Sequence, residues 1–347
     1  MTGSMRSWPI VHLTLWRVRE FTREPEALFW VFAFPILLAF ALGVAFKGRG
    51  PEVIRVAVED GDGAAATAAA LRISERLEPL VLDSAEAHNR LRTGKVALVV
   101  RPGEPVLLRY DSTRAESEMA RMVVGDALQD AAGRREARVI AHETVAEPGA
   151  RYIDFLIPGL LGLNIMGTGM WGVGFGIVKN RSQKLLKRFM ASPMQRSQYL
   201  LSFVLARLVF LGLEVVAVLL FGHLVFGVPL RGSVFSVAII VVLGAMTFAG
   251  LGLLVASRSK TIEGVSGLMN LVMVPMWIFS GVFFAYSHFP DAVQMFARYL
   301  PLTALNDALR AVLLDGAPLV AVAGLLAILL LWASVGFGVA LKIFRWE

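Results

Sequence analysis

The stretch PEALFWVFAFPILLAFALGVAF fills residues 25–46, and a second, nearly continuous apolar stretch runs from Tyr152 to Phe344. The polar residues 47–151 separate the two. Of the whole chain, 56% is hydrophobic and the mean hydropathy is +0.64, well above the values of soluble globular domains. This pattern indicates a membrane protein with one large excursion into water.

Six segments are long enough to cross a membrane, because a hydrocarbon layer of about 30 Å needs about 20 apolar residues per helix. They are Pro25 to Phe46, Tyr152 to Val178, Tyr199 to Phe226, Val234 to Ala256, Gly264 to Tyr286 and Pro318 to Ile343. The first is longer than the apolar core of a signal peptide and no small-residue cleavage site follows it, so we expect it to remain as a helix.

The segment before the last span is interrupted by prolines. Pro290 and Pro301 divide its apolar pattern into pieces too short to span, which fits helices that re-enter from the outer face. The predicted fold is therefore an α-helical integral membrane protein with six transmembrane helices, re-entrant helices before the last, and an inserted external α/β domain. Its predicted parts are an interfacial helix (1–24), the first span (25–46), the external domain (47–151) and a five-helix domain (152–347).

The orientation follows from the basic residues of the short loops, which stay on the cytoplasmic side. The loop at 179–196 has six bases and no acid: Lys179, Arg181, Lys184, Lys187, Arg188 and Arg196. With six spans, both termini then lie in the cytoplasm, and the chain is predicted to be a multi-pass protein of the inner (plasma) membrane. Residues 50–151 contain 14 basic and 17 acidic residues, so the basic surplus belongs to the membrane portion and does not indicate nucleic-acid binding.

The polar excursion alternates between strand and helix patterns. VIRVAVED, VALVVRP and PVLLRYD read as strands, while AAATAAALRISERLE, AEAHNRLRTGK and AESEMARMVVGDALQDAAGRREARVIAHE read as helices. We expect a mixed sheet with helices packed on it. The cluster Asp60-Gly61-Asp62-Gly63 lacks the further oxygen ligands of a calcium loop, so a turn from strand to helix is the favoured interpretation.

Catalytic and cofactor motifs are missing from the sequence. It has no cysteine, its five histidines are scattered without metal-ligand spacing, and neither a GxSxG elbow nor a GxxxxGK[ST] phosphate loop occurs. We therefore predict that the chain is not an enzyme and binds no metal or cofactor itself. Any energy from ATP has to come from another chain.

Two segments look suited to interactions at the cytoplasmic face. KNRSQKLLKRFMASPMQRSQYLL predicts a short helix along the membrane, with apolar Leu185, Leu186, Phe189 and Met190 opposite its bases and Pro193 at its end. It is interpreted as a docking element, and the alternative is a basic loop that only touches anionic lipid. The stretch from Trp8 to Glu24 predicts an amphipathic helix that leads into Pro25, with Arg17, Glu20 and Glu24 on its polar face and Trp8, Val11, Leu15 and Trp16 on its apolar face.

Polar residues within the spans are a further signal. A carboxylate near the middle of a span, Glu214, is costly there and indicates function by default; Arg207 lies seven residues earlier on the same helix face. Two readings stay open, a structural ion pair and a role in a substrate path. Asn164, Asn270 and Asn306 are expected to tie helices together by hydrogen bonds, and glycines of the second span at 167, 169, 172, 174 and 176 to allow close packing in a bundle or dimer.

These residues resemble the membrane permeases of ABC type-2 exporters, in the branch with a large external domain after the first helix. KLLKRFMASPMQRSQYLLS resembles the cytoplasmic signature Leu-x-Arg-Leu-x-x-Thr-Pro, with Ser192-Pro193 in place of Thr-Pro. SGVFFAYSHFP followed by LPLTALNDALR resembles the closing signature, and VIRVAVEDGDG resembles the start of the external domain. Before the first signature, the family's Glu-Arg-Glu-x-Gly-Thr run is replaced by residues 180–185, which read NRSQKL.

The resemblance implies a half-transporter. Two permeases, as copies or paralogues, would pair above two cytoplasmic ABC ATPase subunits, which hold ATP-Mg, and a periplasmic adaptor is a further possible partner. Contact with the ATPase would fall on Lys184, Leu185, Leu186, Lys187, Arg188, Phe189, Met190 and Pro193. The closing signature would comprise Pro290, Pro301, Leu302, Thr303, Asn306 and Arg310.

The competing interpretation is a membrane-anchored sensor or scaffold whose external domain binds a ligand or partner. A sensor normally carries a cytoplasmic output domain, and the sequence contains none. An exporter permease is therefore the favoured prediction, and copurification with an ATPase would distinguish the two classes. The substrate is not readable from the sequence.

Overall fold

The computed structural model describes residues 8–46, 53–134, 149, 151–184, 196–259 and 261–343. The chain divides into two compact units. One combines residues 1–47 with 145–347 and contains the apolar helices, and the other, residues 48–144, contains the sheet.

The membrane unit begins with helix α1 (Trp8–Thr22) and the helix α2 (Pro25–Ala45), which contains a π-helical turn at Phe29–Ala33. Four more long helices follow in this unit: α6 (Tyr152–Ser182), α7 (Arg196–Phe226), α8 (Val234–Ala256) and α9 (Ile262–Phe279). Two short helices, α10 (Asp291–Ala297) and α11 (Pro301–Leu313), precede the last helix, α12 (Ala323–Ile343). The helices α2, α6, α7, α8, α9 and α12 are long and apolar enough to cross a membrane, which confirms the six predicted spans.

The two central helices of this unit are α6 and α8. Within the protein, 78% of the apolar window of α6 and 67% of that of α8 are buried, against 22–28% in the other four spans. Glycines bring the two together: a Cβ added at Gly174 would lie 2.6 Å from the Gly252 carbonyl oxygen, and one at Gly169 2.8 Å from Phe248. Of the glycines predicted to form a small face on the second span, Gly169 and Gly174 thus serve packing inside the bundle, whereas a Cβ at Gly172 would meet nothing.

The short helices α10 and α11 confirm the predicted interruption before the last span. Pro290 is the residue before α10, and Pro301 is the first residue of α11. At 1.5 Å per residue, helices of 7 and 13 residues are shorter than the hydrocarbon layer. Helix α11 packs against α6, α8 and α12, so it is part of the bundle core.

The second unit is a four-stranded mixed sheet with helices on both faces. Its strands are β1 (Ile54–Glu59), β2 (Leu77–Leu82), β3 (Leu98–Arg101) and β4 (Leu107–Tyr110), in the order β2-β1-β3-β4. β1 is parallel to β2 and β3, and β4 is antiparallel to β3. Helices α3 (Ala64–Arg72) and α5 (Ala115–Ala131) pack with Val56 and Val58 on one face, and α4 (Ser84–Arg92) packs with Ala57 on the other.

A buried carboxylate ends strand β1. Glu59 accepts from Arg101 at 2.5 Å and from the Ser84 hydroxyl at 3.3 Å. The hydrogen bond from Arg101 holds the pKa of Glu59 below its ordinary value. The positive φ angles of Gly61 and Gly63 then turn the chain into α3, which confirms the predicted turn from strand to helix.

Several predicted boundaries were wrong. The helix predicted over AAATAAALRISERLE ends at Arg72, and the missed strand β2 follows, its Pro79 tolerated because β2 lies at the sheet edge. The fifth span ends at Phe279, because Gly281 adopts a left-handed φ of 66°. The last helix begins at Ala323 after turns at 319–322. The predicted helix at 115–143 is helical to Ala131, and residues 135–143 lie outside the described residues.

Candidate functional site: polar ties between the membrane helices

The charged pair of the third span, α7, is formed as the spacing predicted. Arg207 donates from Nη1 to Glu214 Oε1 at 2.5 Å and from Nη2 to Oε2 at 2.8 Å. The Glu214 side chain is fully buried and that of Arg207 is 9% exposed. In a low-dielectric interior each charge needs the other, so this is a desolvated, two-point ion pair within one helix.

Two side chains of α6 extend this pair across the bundle. Arg207 also donates to the Thr168 hydroxyl, and Thr168 donates to the Asn164 carbonyl at 2.6 Å. The Asn164 amide lies 3.5 Å from Glu214 Oε2 and donates to the Val31 carbonyl at 3.1 Å. Because Val31 lies in the π-helical turn of α2, the network connects α2, α6 and α7. The predicted helix-tying role of Asn164 is thereby confirmed.

A second set of ties holds the segment between α9 and α11. Arg310 donates to the Gly281 carbonyl at 2.5 Å and to the Phe155 carbonyl at 3.3 Å. Its guanidinium lies 3.6 Å from the centroid of the Phe155 ring, and it pairs with Asp307 at 3.4 Å. One side chain thus fastens the turn after α9 and the start of α6 to α11.

The other residues of the closing signature are core residues of α11. Leu302, Thr303 and Asn306 are buried, and Asn306 donates to the Ser280 carbonyl at 3.1 Å. A Cβ at Gly162 would overlap the Asn306 side chain, so glycine is required there for α11 to approach α6. Asn270 behaves differently: it is exposed near the middle of α9, and within the described residues it forms no side-chain hydrogen bond. Among the residues that the structure describes, the helix tie predicted for Asn270 is absent.

The comparison with known families decides what this bundle is. The family described as ABC-2 family transporter protein matches residues 25–342. The chain belongs to this ABC-2 family. It is thus a transmembrane permease subunit of an ABC transporter and a multi-pass membrane protein, and its family implies an ABC ATPase subunit as partner.

Relatives of this ABC-2 permease are named as transport permeases or ABC transporters, in agreement with the family. The linearmycin resistance permease protein LnrN of Bacillus subtilis is 22% identical over 370 residues, which cover 93% of this chain and 96% of that protein. The inner membrane transport permease YadH of Escherichia coli is 25% identical over 206 residues, 56% of this chain and 78% of its own. ABC transporter G family member 20 of Dictyostelium discoideum is 25% identical over 179 residues, 52% of this chain and 24% of that protein.

The residues predicted to contact the ATPase fall mostly outside the described part of the permease. Leu185, Leu186, Lys187, Arg188, Phe189, Met190 and Pro193 all lie in the segment 185–195, which the structure does not describe. Lys184 is described and exposed, and its φ of 57° is the left-handed conformation that ends a helix. The segment with the family signature therefore starts directly after the end of α6 at Ser182.

Arg181, a basic residue of this region, caps the end of another helix, which the sequence analysis did not predict. The Arg181 side chain is buried and donates to the carbonyls of Ser259 at 2.6 Å, Ala256 at 3.0 Å and Ser257 at 3.4 Å. These carbonyls end helix α8, where a cation is favoured by the helix dipole. A count of loop charges cannot distinguish this helix-capping arginine from the exposed Lys184.

The N-terminal helix of the permease contains a second missed tie. Helix α1 confirms the predicted amphipathic helix, and its apolar Val11, Leu15 and Trp16 are exposed in the protomer. Arg17, assigned from sequence to the polar face, is buried instead and donates to Ser202 of α7 at 3.0 Å. Phe21 packs on Phe210 of the same helix, with ring centroids 4.2 Å apart.

The N-terminal end of α6 contains a third contact that the sequence analysis missed, the buried pair of Asp154 and Arg151. Asp154 is fully buried and accepts from Arg151 at 2.8 and 2.9 Å and from the backbone N–H of Gly149 at 2.9 Å. Arg151 also donates to the Gly227 carbonyl after α7, at 3.2 Å. Because the carboxylate bonds stabilise the charged arginine, they raise the pKa of Arg151. The pair joins the start of α6 to the end of α7.

Proposed function

We propose that the chain is the permease subunit of an ATP-driven exporter, that two permeases pair around the translocation path, and that separate cytoplasmic ATPase subunits move it through the loop at 179–196. ATP-Mg would be bound by the ATPase. The relatives include a permease named for linearmycin resistance, which supports export as the direction. By the positive-inside rule, both termini lie in the cytoplasm and the unit at 48–144 lies outside.

The observation that carries this proposal is the fixed base of α6. Arg181 fastens it to the end of α8, and Lys179 pairs with Glu24, at 3.5 Å, just before α2. The α1 helix is itself fastened to α7 through Arg17 and Ser202. A force applied directly after Ser182 would therefore reach α8 through the buried Arg181, while the exposed Lys179–Glu24 pair adds a weaker link towards α2.

The docking part of the proposal is tested by changing the apolar face of the signature segment. The double substitution Leu186→Asp, Phe189→Asp is expected to abolish binding of the ATPase subunit. Docking needs an apolar anchor, and the two carboxylates that replace it are costly to remove from water. The measurement is capture of the ATPase by the tagged permease from membranes that contain both. Membrane insertion is expected to be unchanged.

A matched control is Ile73→Asp, which makes the same apolar-to-acid change at an exposed position of the other unit. It is expected to capture the ATPase normally. Capture of the ATPase at full affinity by the double variant, with normal transport, would show that the docking assignment is wrong.

The pairing of two permeases is supported by the outward face of α9. Asn270 is exposed in the middle of this span, and a Cβ added at nearby Gly267 would meet nothing. An amide facing lipid tails leaves its hydrogen bonds unmade, whereas amides and small residues are favoured where membrane helices meet. We infer that this face meets the second permease.

Single cysteines can test this face cleanly, because the chain has none of its own. Asn270→Cys is expected to give a covalent dimer with a short bis-maleimide in native membranes. The control is Leu331→Cys on α12, which is exposed to a similar membrane environment and is expected to remain monomeric. Equal cross-linking of the two variants would argue against α9 as the contact.

A further inference from the structure

A cavity of about 300 Å³ opens beside the short helices α10 and α11. Its wall includes Phe155, Tyr286, Gln294, Arg298, Asp307 and Arg310. Gln294 fixes the shape of this wall, since its amide donates to the carbonyls of Phe289 at 2.8 Å and Ser287 at 3.2 Å. The volume is at the lower end of the range for small-ligand sites, and charged groups of both signs line it.

The two arginines of the cavity differ in how many hydrogen bonds and ion pairs they already form within the protein. Arg310 already donates to the carbonyls of Gly281 and Phe155 and pairs with Asp307. Arg298 is exposed, and among the described residues its side chain has no hydrogen bond or ion pair. The cavity therefore offers a cation ready to bind an anion. Its carboxylate, Asp307, accepts from Arg310 and from the Tyr286 hydroxyl, and its two oxygens have lone pairs for a further donor.

The surroundings of the cavity are those of a membrane interface. Met295, Phe296 and Tyr299 are strongly exposed on and just after α10, beside Arg298. The carbonyl of Tyr299 accepts from the indole N–H of Trp332 on α12 at 2.9 Å, which holds this segment against the last span. Exposed aromatic and apolar side chains next to a cation are typical of a helix that lies in the headgroup layer.

We propose that this cavity binds the headgroup of a phospholipid that carries both a phosphate and a primary ammonium. Arg298 binds the phosphate, Asp307 accepts from the ammonium, and the acyl chains run over Met295 and Phe296. Asp307 already accepts from Arg310 and Tyr286, and a headgroup ammonium gives it a further charged donor that a phosphate alone lacks, so the zwitterionic headgroup is favoured.

The experiment is native mass spectrometry of the purified full chain from micelles with equal amounts of phosphatidylethanolamine and phosphatidylglycerol. The unaltered chain is expected to retain phosphatidylethanolamine preferentially. Arg298→Gln is expected to lower this retention about tenfold, as the loss of a charge-assisted hydrogen bond implies. The control Arg231→Gln removes an exposed cation at the same end of the bundle, outside the cavity, and is expected to retain the lipid.

Two further measurements distinguish binding of the whole headgroup from binding of the phosphate alone. Asp307→Asn is expected to bind the two lipids equally, and inorganic phosphate is expected not to displace the lipid. The proposal is overturned if Arg298→Gln and Arg231→Gln retain equal lipid, if the unaltered chain shows no headgroup preference, or if inorganic phosphate displaces the lipid. Arg298 is exposed, so its variant is expected to fold, and the readout depends on neither transport nor an ATPase.

Discussion

Glu214→Gln is expected to lower the free energy of unfolding by about 3–5 kcal/mol, the usual cost of removing one partner from a buried ion pair. The substitution keeps the shape of the side chain but leaves Arg207 charged, 9% exposed and without its counter-ion. The Asn164 and Thr168 side chains offer dipoles, which compensate a full charge poorly. Thermal unfolding in detergent, followed by tryptophan fluorescence, measures the loss.

The double variant Glu214→Gln, Arg207→Gln separates a structural pair from a group that lines the path. If the pair is structural, removing both charges is expected to recover part of the lost stability. If the carboxylate acts in the path, transport falls in both variants while dimer formation stays near normal. Glu263→Gln, at an exposed position of α9, is the matched control. An unchanged melting temperature together with unchanged transport would remove Glu214 from both roles.

Arg310→Gln is expected to destabilise the bundle by about 2–4 kcal/mol, because several charge-assisted hydrogen bonds and a ring contact are lost at once. The turn at Gly281 then loses its tie to α6 through the Phe155 carbonyl. Arg310→Lys is expected to recover little, since an ammonium cannot reproduce the planar fork that serves both carbonyls. The same fluorescence-detected melting experiment applies.

Arg258→Gln is the control for this position, because it removes an exposed cation just after α8. It is expected to melt like the unaltered protein. Full stability of Arg310→Lys would contradict the argument, because it would mean that charge alone, without the two-carbonyl geometry, holds the turn.

The spans were predictable because a lipid layer demands a long apolar run, and each run is visible without knowing its neighbours. The Arg207–Glu214 pair was predictable for a similar reason, since both residues lie on one helix face. Helix ends were harder. The apolar composition continues past Phe279 to Phe284, and only the left-handed Gly281 ends α9. Strand β2 was missed because Pro79 argues against a strand unless its edge position is known.

The residues whose contacts between helices were missed from the sequence share a cause. Arg181, Arg17 and Asp154 are charged residues near span ends, where sequence reasoning assigns charge to topology or to water. Each is buried because a helix end or a neighbouring helix supplies its partner: the carbonyls after α8, Ser202 of α7, and Arg151 with Gly149. Such partners are distant in sequence or belong to the backbone, so no spacing rule finds them.

The intrahelical position of the Arg207–Glu214 pair has a consequence for the biogenesis of the protein. A single charge at the centre of a helix costs about 2.5–3.5 kcal/mol to insert from the translocon. Both partners belong to α7, seven residues apart, so the contact needs no other span to have arrived. Helix α7 therefore brings its own counter-ion into the bilayer. Its lateral release can precede the docking of Asn164 and Thr168, which then only orient a pair that is already neutral.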